Sequence, residues 1–140
     1  MYILDTDHLS ILDRGGDEAQ GLSKRLKTVP PTQIATSIIS YEEQMRGWLE
    51  YIAKAQKIEQ QVEAYKRLRQ QLSNYCKIPI LEFDQKAARE FQILKDLHLR
   101  IGTMDLKIAS IALANQAIVL TRNARDFNRV VGLSTENWIT

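Results

Sequence analysis

The sequence predicts an α/β fold: a central, mainly parallel sheet of four or five strands with helices on both faces. Short apolar runs alternate with helical patterns along the whole chain. Parallel strands need crossovers, and right-handed crossovers place helices on both sides of a sheet. The length, 140 residues, fits a single domain over 1–140 with a real core.

Tyr2 to Asp5 reads as the first strand, three apolar residues running into a carboxylate. Thr6 is placed to cap a short helix with Leu9, Ile11 and Leu12 on its apolar side. Arg14-Gly15-Gly16-Asp17 breaks it, and Glu18 to Lys27 forms a second helix stopped by Pro30-Pro31. Gln33 to Thr36 is a short second strand. Ser37 or Ser40 starts a helix to about Ala55, with Ile38, Ile39, Met45, Trp48, Leu49 and Ile52 as its stripe. Lys57 to Cys76 is a long helix with Ile58, Val62, Tyr65, Leu68, Leu72 and Tyr75 spaced by three and four. These two form a helix pair. Pro79 to Phe83 is the third strand, and Asp84 caps the helix after it. Thr103 is placed to cap a helix from Met104 to about Gln116. Ala117 to Thr121 is the fourth strand, and the tail Val130 to Trp138 offers an edge strand.

Composition narrows the class. Nineteen Lys and Arg stand against seventeen Asp and Glu, so net charge does not select nucleic acid, and a basic surface must come from local clustering. The one cysteine, Cys76, cannot form an internal disulfide or a zinc knuckle. No run approaches the ~20 apolar residues of a membrane span, and three apolar residues before Asp5 make no signal peptide. A cytoplasmic chain without membrane contact is expected.

Ligand sites in open α/β sheets lie beyond the carboxyl ends of the strands. Asp5 ends the first strand and Asp126 follows the fourth. Glu43 lies in the first turns of the helix after the second strand. Asp105 is the harder case, because a helix leading into a strand normally starts at the opposite edge. Each acid also has a local explanation. Ser40-Tyr-Glu-Glu43 matches a capping box, Asp105 complements a helix N-terminus, Asp126 suits an Asx-turn, and Asp5 and Asp7 suit a solvated turn. Together they point to function, since like charges in one cleft repel and persist there by holding a hard cation. Oxygen ligands without Cys or paired His indicate Mg²⁺ or Mn²⁺ and phosphoryl chemistry.

Four segments carry a family resemblance: Tyr2-Ile-Leu-Asp-Thr-Asp7, Thr36-Ser-Ile-Ile-Ser-Tyr-Glu-Glu-Gln-Met-Arg-Gly47, Ile101-Gly-Thr-Met-Asp-Leu-Lys-Ile-Ala-Ser110 and Leu120-Thr-Arg-Asn-Ala-Arg-Asp-Phe127. In this order and spacing, with the ending Val131 to Trp138, the chain resembles PIN-domain ribonucleases, specifically VapC-type toxins of toxin–antitoxin pairs. The resemblance implies a three-layer α/β/α sandwich with a protruding helix pair. It also implies metal-dependent endoribonuclease activity on RNA (transfer or ribosomal RNA in relatives), a cognate antitoxin and a homodimer. Carried over by position, the catalytic acids are Asp5, Glu43, Asp105 and Asp126, with Asp5, Asp105 and Asp126 as metal ligands. Gly47, four beyond Glu43, selects Glu43 over Glu42. Thr6, Thr121 and Asn123 are supporting residues, and Arg122, Arg125 and Arg129 are candidates for positioning RNA phosphates. Asp7 stands where many relatives have Asn, so its charge adds to the site or faces away. Lys107 and Gln44 replace apolar residues, and His8 and His98 read as ordinary surface or helix residues.

Two rival readings remain. Apolar residues followed by Asp-x-Asp resemble haloacid-dehalogenase-like phosphatases, with Asp5 as nucleophile and Asp7 as general acid. That reading leaves the Met-Asp-Leu and Thr-Arg-Asn segments without a place. The other is a non-catalytic binding module using Trp48, Tyr51 and Tyr65 of the helix pair.

Overall fold

The computed structural model describes residues 1–139. Five strands, β1 (Tyr2–Leu4), β2 (Ile34–Ser37), β3 (Ile80–Leu81), β4 (Ile118–Leu120) and β5 (Ser134–Glu136), form one sheet in the order β3-β2-β1-β4-β5. Every pairing is parallel, including the tail strand, so the sheet is wholly rather than mainly parallel. β1 lies at the centre because its neighbours on both sides, β2 and β4, return by helical crossovers.

Seven helices follow: α1 (Thr6–Arg14), α2 (Asp17–Leu26), α3 (Ile38–Lys54), α4 (Ile58–Tyr75), α5 (Gln85–Asp96), α6 (Thr103–Ala114) and α7 (Ala124–Phe127). Successive residues of β1 face opposite sides of the sheet, and this divides the core. Ile3 packs with Ala87 and Leu94 of α5 and with Ile108, Ala109, Ile111 and Ala112 of α6. Leu4 packs with Ile11 of α1, Ala19 and Leu22 of α2, and Trp138. The small alanines of α6 let the helix lie close to the sheet and to α5.

The helix pair departs from the expected pattern. α4 buries Ala64, Gln71 and Tyr75, while Ile58, Val62, Tyr65 and Leu72 are exposed, as are Leu49 and Tyr51 of α3. The apolar spacing was a correct sign of a helix but not of its buried face. α4 packs chiefly on α3 and not on the sheet, so only a narrow edge is covered. Two expected caps also differ. Asp5, not Thr6, caps α1, and Gly102, not Thr103, precedes α6 without a side-chain cap.

Candidate active site

Leu4 of β1, Thr36 of β2 and Leu120 of β4 are level in the sheet. The next residue on each strand is therefore at one edge: Asp5, Ser37 and Thr121. Asp5 turns the chain into α1. Its Oδ1 accepts from the Thr6 amide at 2.8 Å, and its Oδ2 accepts from the Thr121 hydroxyl at 2.8 Å. The residue is only 5% exposed. Burial, the Asp7 charge and the Asp105 charge together outweigh these hydrogen bonds and push the Asp5 carboxyl up to about 7.

Glu43 reaches the same edge from α3. Ser37 caps this helix by accepting from the Ser40 amide, so the Ser40–Glu43 capping box does not form. Glu43 Oε1 instead accepts from the Thr6 hydroxyl at 2.9 Å, a contact 37 positions away in sequence. Burial raises the Glu43 carboxyl, with Asp105 and Glu42 adding repulsion. Glu42 pairs with Arg46 on the outer side of the helix, which separates the two neighbouring glutamates into different roles.

Asp105 reaches the site despite the direction of its helix. Its Oδ2 accepts from Asn123 Nδ2 at 3.0 Å, and the same amide lies 3.1 Å from Asp126 Oδ2. Asn123 thus sits between two carboxylates just beyond β4. Burial raises Asp105, and Asp126 and Asp7 raise it further. Thr6, Thr121 and Asn123 are polar links of this edge, the first beside Asp5 and Glu43, the second between Asp5 and Asp7, the third between Asp105 and Asp126.

Asp7 faces the site rather than away from it. Its Oδ1 accepts from His8 Nδ1 at 2.7 Å, and its Oδ2 accepts from the Arg122 amide at 2.8 Å. Burial pushes Asp7 up, but the bonds from His8 and Arg122 and the nearby Thr121 hydroxyl hold it below the ordinary carboxylate range. A general acid must carry a proton, so this setting opposes the phosphatase reading.

His8 is the residue that sequence reasoning missed. It is 0% exposed, not a surface residue, and its Nε2 accepts from the Trp138 amide at 3.2 Å. These bonds fix the tautomer with the proton on Nδ1. The signal was present: His8 and Ile11, three apart, are the two buried positions of α1. His8→Phe is expected to destabilise the fold by about 1–3 kcal/mol, because it leaves the buried Trp138 amide unpaired and removes the partner of Asp7 Oδ1. Urea unfolding measures this, and an unchanged midpoint would remove His8 from the account.

The arginine cluster divides. Arg122 pairs with Glu18, and Arg129 with Asp126 (2.9 Å) and the Arg100 carbonyl. Arg125 is exposed, with no ion pair among the described residues. Lys107 lies 6.0 Å from the Phe83 ring, and Gln44 accepts from the Tyr75 hydroxyl, so neither belongs to the acid edge.

The sequence matches a family model, the PIN domain, over residues 2–133. The chain belongs to the PIN-domain family. Relatives include Ribonuclease VapC2 of Haemophilus influenzae, 36% identical over 67 residues, 45% of this chain and 51% of that protein. The tRNA(fMet)-specific endonuclease VapC of Shigella flexneri is 38% identical over 66 residues, 44% of this chain and 50% of the relative. The chain thus spans about half the length of the curated relatives it matches. Among solved structures, a chain of VapBC2 from Rickettsia felis bound to a promoter DNA fragment aligns with TM-score 0.72 and 27% identity, covering 98% of each chain. VapBC-1 from nontypeable Haemophilus influenzae aligns with TM-score 0.70 and 25% identity, covering 98% of this chain and 97% of that one.

Among the described residues, no three His, Cys, Asp or Glu side chains stand close enough to enclose an ion by themselves. The donor chemistry nevertheless fits a hard divalent cation. The donors are all carboxylate oxygens, and burial first, with repulsion from neighbouring acids added, raises the proton affinities of three of them. A cation relieves that repulsion, and one such as magnesium keeps several waters and substrate oxygens in its shell.

Proposed function

We propose that the chain is a metal-dependent endoribonuclease and the toxin of a VapBC-type toxin–antitoxin pair, acting in the cytoplasm. One observation carries the reading: Asp5, Glu43, Asp105 and Asp126 come from four distant segments to one sheet edge, where Asp5 is pushed up to about 7. Charge gathered in this way costs stability and is explained by a cation and a phosphate substrate. The relatives named ribonuclease VapC2 and tRNA(fMet)-specific endonuclease support an RNA substrate, and the VapBC complexes among the structural neighbours support an antitoxin partner. No described helix is long and apolar enough to cross a membrane.

Bound Mg²⁺ or Mn²⁺ would activate a water, neutralise the phosphate oxygens and stabilise the leaving 3′ oxygen. Asp5, Asp105 and Asp126 are the residues that would hold it. Thr6 and Thr121 fix the Asp5 carboxylate in place through its two oxygens. Glu43, steadied by the Thr6 hydroxyl, is placed to take a proton at Oε1 or Oε2 from an attacking water. Asn123 holds Asp105 beside Asp126, and Arg125 is free to meet an RNA phosphate. The non-catalytic alternative gives no reason for acids from distant segments to converge at one sheet edge.

The test is cleavage of total RNA by the purified chain with Mn²⁺ and with chelator. Cleavage is expected with Mn²⁺ alone, and Asp105→Asn should lower it at least about a hundredfold. Cleavage in chelator by folded Asp105→Asn would refute the reading.

A further inference from the structure

One cleft beside the acids remains without a role. It has a volume of about 240 Å³ and is bounded by Glu43, Arg46, Gly47, Glu50 and Met104. The four α3 residues recur at intervals of three, four and seven, so they share one helix face. Met104 stands in the first turn of α6, next to Asp105. Glu43 belongs to both the cleft and the acid edge, so whatever occupies the cleft adjoins the reacting phosphate.

Gly47 is the second observation. It lies inside the 17-residue helix α3, where glycine is a poor helix former. Packing does not require it, since a Cβ at Gly47 would meet nothing within 4 Å. Its bare backbone instead lines the cleft.

Charge decides what fits. Glu43 and Glu50 line the cleft, and its one cation, Arg46, is already paired with Glu42. A phosphate entering here would be repelled, whereas a neutral base with hydrogen-bond donors would be drawn to the carboxylates. The Met104 thioether gives a polarisable surface for the face of such a base. Single-stranded RNA can splay a base into an open cleft of this kind.

We infer that this cleft seats the nucleobase beside the scissile phosphate and prefers guanine, whose adjacent N1–H and N2–H donors match the two oxygens of Glu50. The inference rests on the ribonuclease reading. Gly47 sets the depth of the subsite, and Glu50 reads the edge of the base.

The test uses Asp5→Asn, in which cleavage is blocked, as the parent for binding short RNAs. The probes are a uridine hexamer with one central guanine, the same hexamer with inosine, which lacks the N2 amino group, and an all-uridine hexamer. The parent should bind the guanine probe most tightly. Gly47→Leu should weaken that binding at least about tenfold, the scale of a misfit in a shaped pocket. Gly47→Ala, which restores helix propensity, should raise the thermal midpoint by roughly 2–5 °C while weakening binding. Glu50→Gln should erase the preference for guanine over inosine. Equal binding of all probes by the parent, or unchanged binding by the folded Gly47 variants, overturns the subsite. In either case wild-type cleavage of total RNA shows whether the ribonuclease reading still stands; if the wild type cleaves no RNA, both fall.

Discussion

Asp5→Asn is expected to abolish RNA cleavage and at the same time to stabilise the metal-free chain near neutral pH. The two effects have one cause. Asp5 is buried to 5% exposure, next to two other acids, and it titrates at about 7 instead of 3.8. That gap is worth roughly 4 kcal/mol, the upper limit of what removing the charge can return at about pH 8. The local bonds survive the exchange. An asparagine Oδ1 still accepts from the Thr6 amide and keeps its place as an N-cap. Its Nδ2 can donate to the Thr121 hydroxyl, reversing the present bond. The substitution therefore removes the ligand and the strain together. Paired assays of RNA cleavage and urea unfolding check it. A destabilised, inactive variant would show that Asp5 is a structural carboxylate rather than a site held ready for a cation.

Divalent metal should stabilise the chain, and more strongly at about pH 8 than at about pH 5. The sign follows from Asp5. Its proton is held more tightly in the folded state, at about 7, than in the unfolded chain, at 3.8. That contribution is fully present below about pH 4 and is lost as pH rises through 7. Glu43 and Asp105, also raised, act in the same direction. Asp7 is lowered, so its contribution acts oppositely and is lost as pH falls through its folded pKa. With Asp5 dominant, the metal-free chain should lose stability between about pH 5 and pH 8. Metal binds the deprotonated carboxylates and so opposes this loss. At about 100 times its Kd, an ion adds roughly 2.7 kcal/mol. Thermal melts with Mn²⁺ and with chelator at the two pH values measure it. A shift of equal size at both would place the ion elsewhere.

The sequence carried those parts of the site that follow from strand position. Asp5 at the end of an apolar run and Asp126 after another are visible because parallel strands bring their ends to one edge. Asp105 was not placed by that argument. It needed the family resemblance, and the structure supplies the link through Asn123. The Thr6–Glu43 bond was hidden because both residues fit simpler local roles, a cap and a capping box, and tertiary contact displaced both. His8, read as a surface or helix residue, does lie on a helix but not at the surface, and its spacing from Ile11 marks the buried face. The face of α4 could not be read either: periodicity reports that a helix is amphipathic, and only the neighbouring elements decide how much of the apolar stripe they cover.

The central claim is that acids distant in sequence act as one cation site. The most direct measurement is a calorimetric titration of Mn²⁺ into the wild type and into Asp5→Asn and Asp105→Asn near neutral pH. The account predicts saturable binding to the wild type, with each variant at least about tenfold weaker although folded. Equal Mn²⁺ binding by all three proteins would contradict it.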